Sequence, residues 1–295
     1  MTATPDAPPD TAQHSTGLVL VTLAAVAWST APFFTRLLPF DSWTILFWRG
    51  IFGGLAIFSV LLALNGRDGL RNLVLTGSGW LIACLSTLGM IAYIPSLQWT
   101  SVANVAVVNA TCPFIAAALA WFWLKERTQR RTLFAGAAAL VGIVIAVGGA
   151  QGSADLRGLG LAAIMTFAIA AMTVAIRRYP NNSMAAAAAL SNFLGSLVSA
   201  PLASSIGQVS GTHLAIFAAF GIFQVGAGLT LFMLGSRLIP AGQAALIATL
   251  ESPLMPFWVW LAFQEIPTTH TMIGGAIVMA AVVADIVGAM MRGPR

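Results

Sequence analysis

Three ionisable side chains interrupt otherwise apolar stretches of this 295-residue sequence: Arg49, Glu251 and Asp285. Charge in apolar surroundings is costly unless it meets a partner, a cavity or a ligand. Glu251 stands in Thr249-Leu250-Glu251-Ser252-Pro253. A proline so near removes a backbone hydrogen bond and frees a carbonyl. A carboxyl beside such a break is suited to carry a proton or to hold a cationic group. Pro113 offers a second break, with Asn109 one helical turn before it. Trp28, next to Ser29, and Tyr93 bring polar tips into apolar runs, and a buried indole N–H or phenol needs a partner. Arg49 reads as a structural group, snorkelling or paired with a carboxylate, and Asp285 as structural or interfacial.

The scaffold that must position these groups is set by composition. Hydrophobic residues make up 58% of the chain and charged residues 8%, against about 25% charged in a soluble domain. Residues 72–124 and 179–236 carry no charge, and each stretch has room for two bilayer crossings at roughly 20 residues apiece. This excludes a soluble enzyme, a nucleic-acid binder and a disordered protein. The fold class expected is all-α and integral to a membrane.

Apolar runs between polar breaks predict ten transmembrane helices: 17–36, 42–64, 77–97, 102–124, 131–150, 159–176, 184–203, 213–235, 241–263 and 271–291. Residues 1–16 read as a disordered tail. They lack the basic start of a cleavable leader, so the first span is expected to remain in place. With the N-terminus in the cytoplasm, the inside loops and tail (292–295) hold 11 of the 14 Lys and Arg, while Arg36 and Arg157 fall outside. That bias places both termini in the cytoplasm. Cys84 and Cys112 lie within spans and read as small apolar residues. His14, His213 and His270 lie in the tail or at span ends, without metal-site spacing; no metal and no cofactor are expected.

The chain also repeats itself. Residues 104–142 align with 244–281, bringing Pro113 onto Pro253, Glu126 onto Glu265 and Gly136 onto Gly275 at an offset of 140 and then 139. Gly17 and Arg36 fall on Gly158 and Arg177 at an offset of 141. The reading is a first five-helix repeat over 17–150, a linker at 151–156 and a second over 157–291. Five is odd, so the second copy enters the membrane from the opposite face. Inverted repeats supply two near-equal packings around a midplane site, the design of secondary transporters.

On these residues the sequence resembles the drug/metabolite transporter superfamily, in its EamA-type exporter branch. The resemblance covers 17–291. Its carriers are Trp28-Ser29, Arg49, and the run from Pro113 to Lys125-Glu126-Arg127; the second copy ends on Phe263-Gln264-Glu265-Ile266, where Leu-Gly-Glu-Arg is usual. Val108-Asn109 before Pro113 is similar to the aromatic amino acid exporters. The resemblance implies export of small metabolites, often amino acids, by alternating access.

The substrate cavity is expected at Trp28, Tyr93, Asn109, Pro113, Phe167, Gln224, Glu251, Ser252 and Pro253, with Glu251 the candidate for proton coupling. Trp43, Trp80, Trp99, Trp121, Trp123, Trp258 and Trp260 lie near span ends and read as the aromatic belt. Phosphorylated solutes want several cations, and only Arg49 is at hand. Neutral or cationic solutes are favoured: amino acids with apolar or aromatic side chains first, cationic drugs second. The other partner is the lipid bilayer, and the assembly expected is a monomer or weak dimer. Gly158-Leu159-Gly160-Leu161-Ala162-Ala163 fits a dinucleotide fingerprint in letters alone, since no strand precedes it. An intramembrane protease would need a mid-span His or His-Glu-x-x-His, and neither is present.

Overall fold

The structure, a computed structural model, describes residues 11–65, 75–125, 130–149, 153–179, 183–239, 244 and 247–290. Glu126, the Arg residues at 67, 71, 127, 292 and 295, and the side chains of Arg131 and Asp285 lie outside that description. Among the described residues every regular element is a helix: α1 (Thr11–Ser29), α2 (Ala31–Leu37), α3 (Ser42–Asn65), α4 (Gly77–Trp99), α5 (Val102–Asn109), α6 (Cys112–Trp123), α7 (Arg130–Val147), α8 (Ser153–Arg178), α9 (Met184–Ser199), α10 (Gly211–Ala219), a π-helical segment (Phe220–Ala227), α11 (Gly228–Gly235), α12 (Glu251–Phe263) and α13 (Thr269–Met290). Among the described residues, six apolar units have the length and composition to cross a bilayer, including Gln13–Leu37, Val102–Trp123 and Gly211–Gly235. Thr132–Val147, Met184–Ser199 and Thr269–Ala284 are shorter apolar helices. The first helix starts at Thr11, inside the segment read as an unstructured tail.

Prolines explain the breaks. Pro32 opens α2, and a proline has no N–H to give the carbonyl four residues back, which here belongs to Trp28. The hydroxyls of Ser29 and Thr30 donate to the carbonyls of Val26 and Ala27 at 2.7 and 2.6 Å. Pro113 starts α6 in the same way, with Thr111 Oγ1 donating to the Val108 carbonyl. In the second half α12 starts at Glu251, two residues before Pro253. The spans read as 17–36 and 102–124 are thus each built from two helices, and 213–235, which has no proline, is divided by the π-helical segment.

The packing repeats when the two halves are exchanged. Helix α4 lies along α8, and its repeat mate α11 lies along α1; α9 contacts α4 as α3 contacts the π-helical segment. The pairs α3–α9, α5–α12 and α7–α13 join equivalent elements. A Cβ on Gly17 would meet Leu238 at 2.8 Å, and one on its mate Gly158 would meet Thr100 and Trp99 at 2.7 and 2.8 Å. Lys125 and Gln264, aligned in the repeat, both adopt left-handed backbone (φ 59° and 57°). That conformation ends a helix by turning its last carbonyls to new donors, and at Gln264 it carries the chain into Glu265.

Candidate functional site

Gln224 joins the halves at mid-span. Its Oε1 accepts from Arg49 Nε at 3.3 Å and from Nη2 at 2.9 Å. Its Nε2 donates to the Trp28 carbonyl at 3.4 Å, the acceptor left free by Pro32. The wide turn of the π-helical segment carries Gln224, and such turns recur at functional sites. Close approach is needed on both sides: a Cβ on Gly221 would come within 2.6 Å of the Gly53 nitrogen, and one on Gly228 within 2.5 Å of Trp28 Nε1. Arg49 is buried, 5% exposed, with its guanidinium 5.1 Å from the Phe220 ring centre. The carboxylate partner expected for it is absent among the described residues; a neutral amide takes that place.

Trp28, Arg49, Asn192 and Gln224 line one cavity of about 200 Å³. Ile57, Ser86, Met90, Met172, Met184 and Leu229 continue its wall. These positions run from mid-span toward the end where α3 and α8 finish and α4 and α9 start. A larger groove of about 880 Å³ between α6, α7 and α8 is almost wholly carbon-lined, with Leu133, Leu140 and Phe167 exposed by 61, 64 and 51%. It is an outward apolar face, and the smaller cavity holds the polar groups.

The nine expected cavity residues are therefore divided. Trp28 and Gln224 meet at the Arg49 cavity. Phe167 lies in the outward groove, because its position on α8 faces away from the junction. Ser252 and Pro253 line a separate cleft with Ala106, Thr271 and Gly275. Pro113 is exposed and Asn109 half-buried at the end of α5. Tyr93 packs on the main core with its hydroxyl enclosed and without a partner among the described residues. Glu251 is half-buried at the first residue of α12, within electrostatic range of Tyr93 and Cys112. Asn192 escaped the sequence reading. Its only signal is a polar residue inside an otherwise apolar run. Trp258, read with the belt, instead donates from Nε1 to Ser29 Oγ at 2.8 Å; Trp80, Trp99, Trp121 and Trp260 are exposed.

The opposite end is closed by polar contacts between the halves. Arg36 and Glu265 pair at 3.1 Å. Arg36 also donates to the Thr100 carbonyl, and Glu265 Oε1 accepts from the Val102 N–H at 3.2 Å. Asp155 accepts from Thr100 Oγ1 and from Asn104, and Asn104 Oδ1 accepts from Thr271 at 2.7 Å.

Apolar helices in two repeated halves, with a polar-headed cavity at their junction closed at one end, define a membrane transport protein. The EamA-like transporter family model matches the chain twice, over residues 15–148 and 156–284, and the chain belongs to that family, within the drug/metabolite transporter superfamily. It is an integral membrane protein of a family of transporters rather than enzymes. No curated protein matches the sequence. One solved crystal structure is similar at 19% identity, over 92% of this chain and 96% of that one, with a TM-score of 0.66, a likeness of fold.

Proposed function

We propose that the protein is a secondary transporter of ten spans, in two inverted five-helix repeats, that exports small metabolites across the inner membrane by alternating access. Both termini are cytoplasmic in this reading, and the cavity faces the cytoplasm. The observation that carries it is the junction itself. The head of the cavity is a contact between halves, Arg49 with Gln224, while the far end is held shut by a second contact between halves, Arg36 with Glu265. Rocking one half against the other breaks the second contact and re-forms the wall on the other side, which inverted repeats make nearly isoenergetic.

The solutes that fit best are amino acids with apolar or aromatic side chains. Trp28, Met90, Met172 and Met184 offer an adaptable apolar wall, and Glu251 stands at the start of α12 near Tyr93. Cationic drugs are the second reading, favoured by the Glu251 carboxylate and opposed by the buried Arg49. Uptake of labelled amino acids into proteoliposomes tests the function: saturable flux, lost in protein-free liposomes, is expected for phenylalanine or leucine. Flux of cationic dyes without flux of any amino acid would move the assignment to drug efflux.

A further inference from the structure

Four buried side-chain atoms lack a hydrogen-bond partner among the described residues: Trp48 Nε1, Arg49 Nη1, Tyr93 Oη and Asn192 Oδ1. Unsatisfied buried polar atoms are scarce in native proteins, and each calls for an explanation. Two of these four face one cavity. Arg49 and Asn192 line the same cavity. Asn192 Oδ1 lies 3.0 Å from where a Cβ on Gly53 would stand, one turn along α3 from Arg49. Tyr93 is within electrostatic range of the Arg49 guanidinium, whereas Trp48, adjacent to Arg49 on α3, faces another side of the helix and packs on Phe47 and Phe52. The group is a cation with an idle donor, one neutral donor and one acceptor.

The guanidinium is also oriented. Gln224 Oε1 receives Nε and Nη2, which fixes the plane and leaves the Nη1 edge unengaged. A planar guanidinium fork with a free edge matches a carboxylate. A buried cation with no anion is costly and gains most from one. Gln224, being neutral, positions Arg49 without discharging it.

We propose that Arg49 is the anion-binding residue of this cavity, taking the carboxylate of a zwitterionic solute at Nη1, with Tyr93 Oη as a second donor and Asn192 Oδ1 accepting from an N–H of the same solute. The assignment rests on reading the cavity as a transport site. It gives that site a requirement for a carboxylate, where the Glu251 carboxylate alone would ask for a cation.

The test uses purified full-length protein in proteoliposomes and four probes: phenylalanine, phenylalaninamide, phenethylamine and 3-phenylpropionate. Competition against labelled phenylalanine counterflow and thermal stabilisation in detergent are both read. Wild type is expected to prefer phenylalanine over the amide and the amine by tenfold or more. Arg49→Gln is expected to erase that preference, and Arg49→Lys to keep part of it. Gln224→Leu keeps the charge but frees it, and is expected to weaken the preference several-fold. Asn192→Ala is expected to raise 3-phenylpropionate relative to phenylalanine and leave the carboxylate preference intact. If Arg49→Gln does not fold, the Gln224 and Asn192 variants decide. Wild type that moves amide or amine as readily as the acid overturns the anion site and leaves transport standing. So does folded Arg49→Gln, or folded Gln224→Leu, with an unchanged preference. Wild type that neither moves nor is stabilised by any probe overturns both readings.

Discussion

Arg36 and Glu265 join the two halves of the chain across one end of the bundle, Nη2 to Oε2 at 3.1 Å. Neither residue acts alone. Glu265 is delivered by the left-handed turn at Gln264 and takes the N–H that opens α5, while Arg36, in the last turn of α2, reaches the Thr100 carbonyl between α4 and α5. The end of α2, the start of α5 and the turn after α12 are thus pinned together by one ion pair. The pair is partly exposed, 26 and 29%, so solvent screens it and its contribution is modest.

Removing the pair should therefore loosen that end. A partly exposed ion pair contributes on the order of 1 kcal/mol, about a fivefold change in population. Ala103→Cys, introduced after Cys84 and Cys112 are replaced by alanine, places a thiol on a buried wall beside Glu265. Its reaction with an impermeant maleimide is expected to be several-fold faster in Glu265→Gln. Swapping the charges, Arg36→Glu with Glu265→Arg, is expected to slow it again. Equal rates in all three proteins would show that the pair does not hold this end closed.

Trp28 and Gly228 should behave as one unit. A methyl at residue 228 would stand 2.5 Å from the indole nitrogen, and Phe232, 5.1 Å away, limits where the ring can go. Gly228→Ala is expected to destabilise by about 1–3 kcal/mol through overpacking and to lower transport more than folded yield. In a Trp28→Ala background the same substitution should cost little, because the ring it displaces is gone. An equal loss of thermal stability in both backgrounds would remove the indole as the cause.

Much of this fold was legible in the sequence because its signals are local. The alignment of Pro113 with Pro253 marked the two places where helices start anew at mid-span, whereas the left-handed turns at Lys125 and Gln264 carry no residue signal, since neither is a glycine. The site was less legible because its contacts are not local. Arg49 meets Gln224 from 175 residues away, and nothing near either residue distinguishes an amide partner from a carboxylate. The π-helical segment leaves no mark in the hydropathy of an all-apolar span. Trp258 lies near a span end in sequence, yet the packing of α12 against α1 brings its indole to Ser29.

Asp41 should make stability depend on acid. Its Oδ1 accepts from the Trp43 and Thr44 N–H groups at 3.1 and 3.0 Å, and its Oδ2 from the Thr44 and Ser204 hydroxyls at 2.6 and 2.8 Å. Partial burial pushes this carboxyl up, but the hydrogen bonds from Thr44 and Ser204 outweigh it and hold the group below its ordinary value of 3.8. A group depressed on folding contributes stability that is complete above its unfolded value and is lost as pH falls through the folded one. Asp41→Ala removes a helix cap, at a cost of about 1 kcal/mol at pH 7. The difference in melting temperature from wild type is expected to shrink below about pH 3.8. A difference that stays constant from neutral pH to pH 3 would mean that the carboxylate form is not the stabilising one.

Glu251 is the group best placed to couple transport to protons. It begins α12, where free N–H groups favour negative charge. It is half-buried, near Tyr93 and Cys112, and among the described residues no hydrogen bond reaches its carboxylate. A carboxylate held by fixed partners would be structural, and this one is left available. Glu251→Gln keeps the shape and removes the titration. Amino acid flux in proteoliposomes, with and without an imposed pH gradient, separates its roles. If Glu251 carries the proton, the mutant loses the response to the gradient and retains downhill flux. If it contacts the solute's ammonium, the mutant keeps the gradient response and loses discrimination between phenylalanine and 3-phenylpropionate, by tenfold or more. The first outcome is expected, since Arg49 and Asn192 already supply groups for both ends of a zwitterion. A mutant matching wild type in rate, selectivity and pH dependence would leave Glu251 with no part in transport.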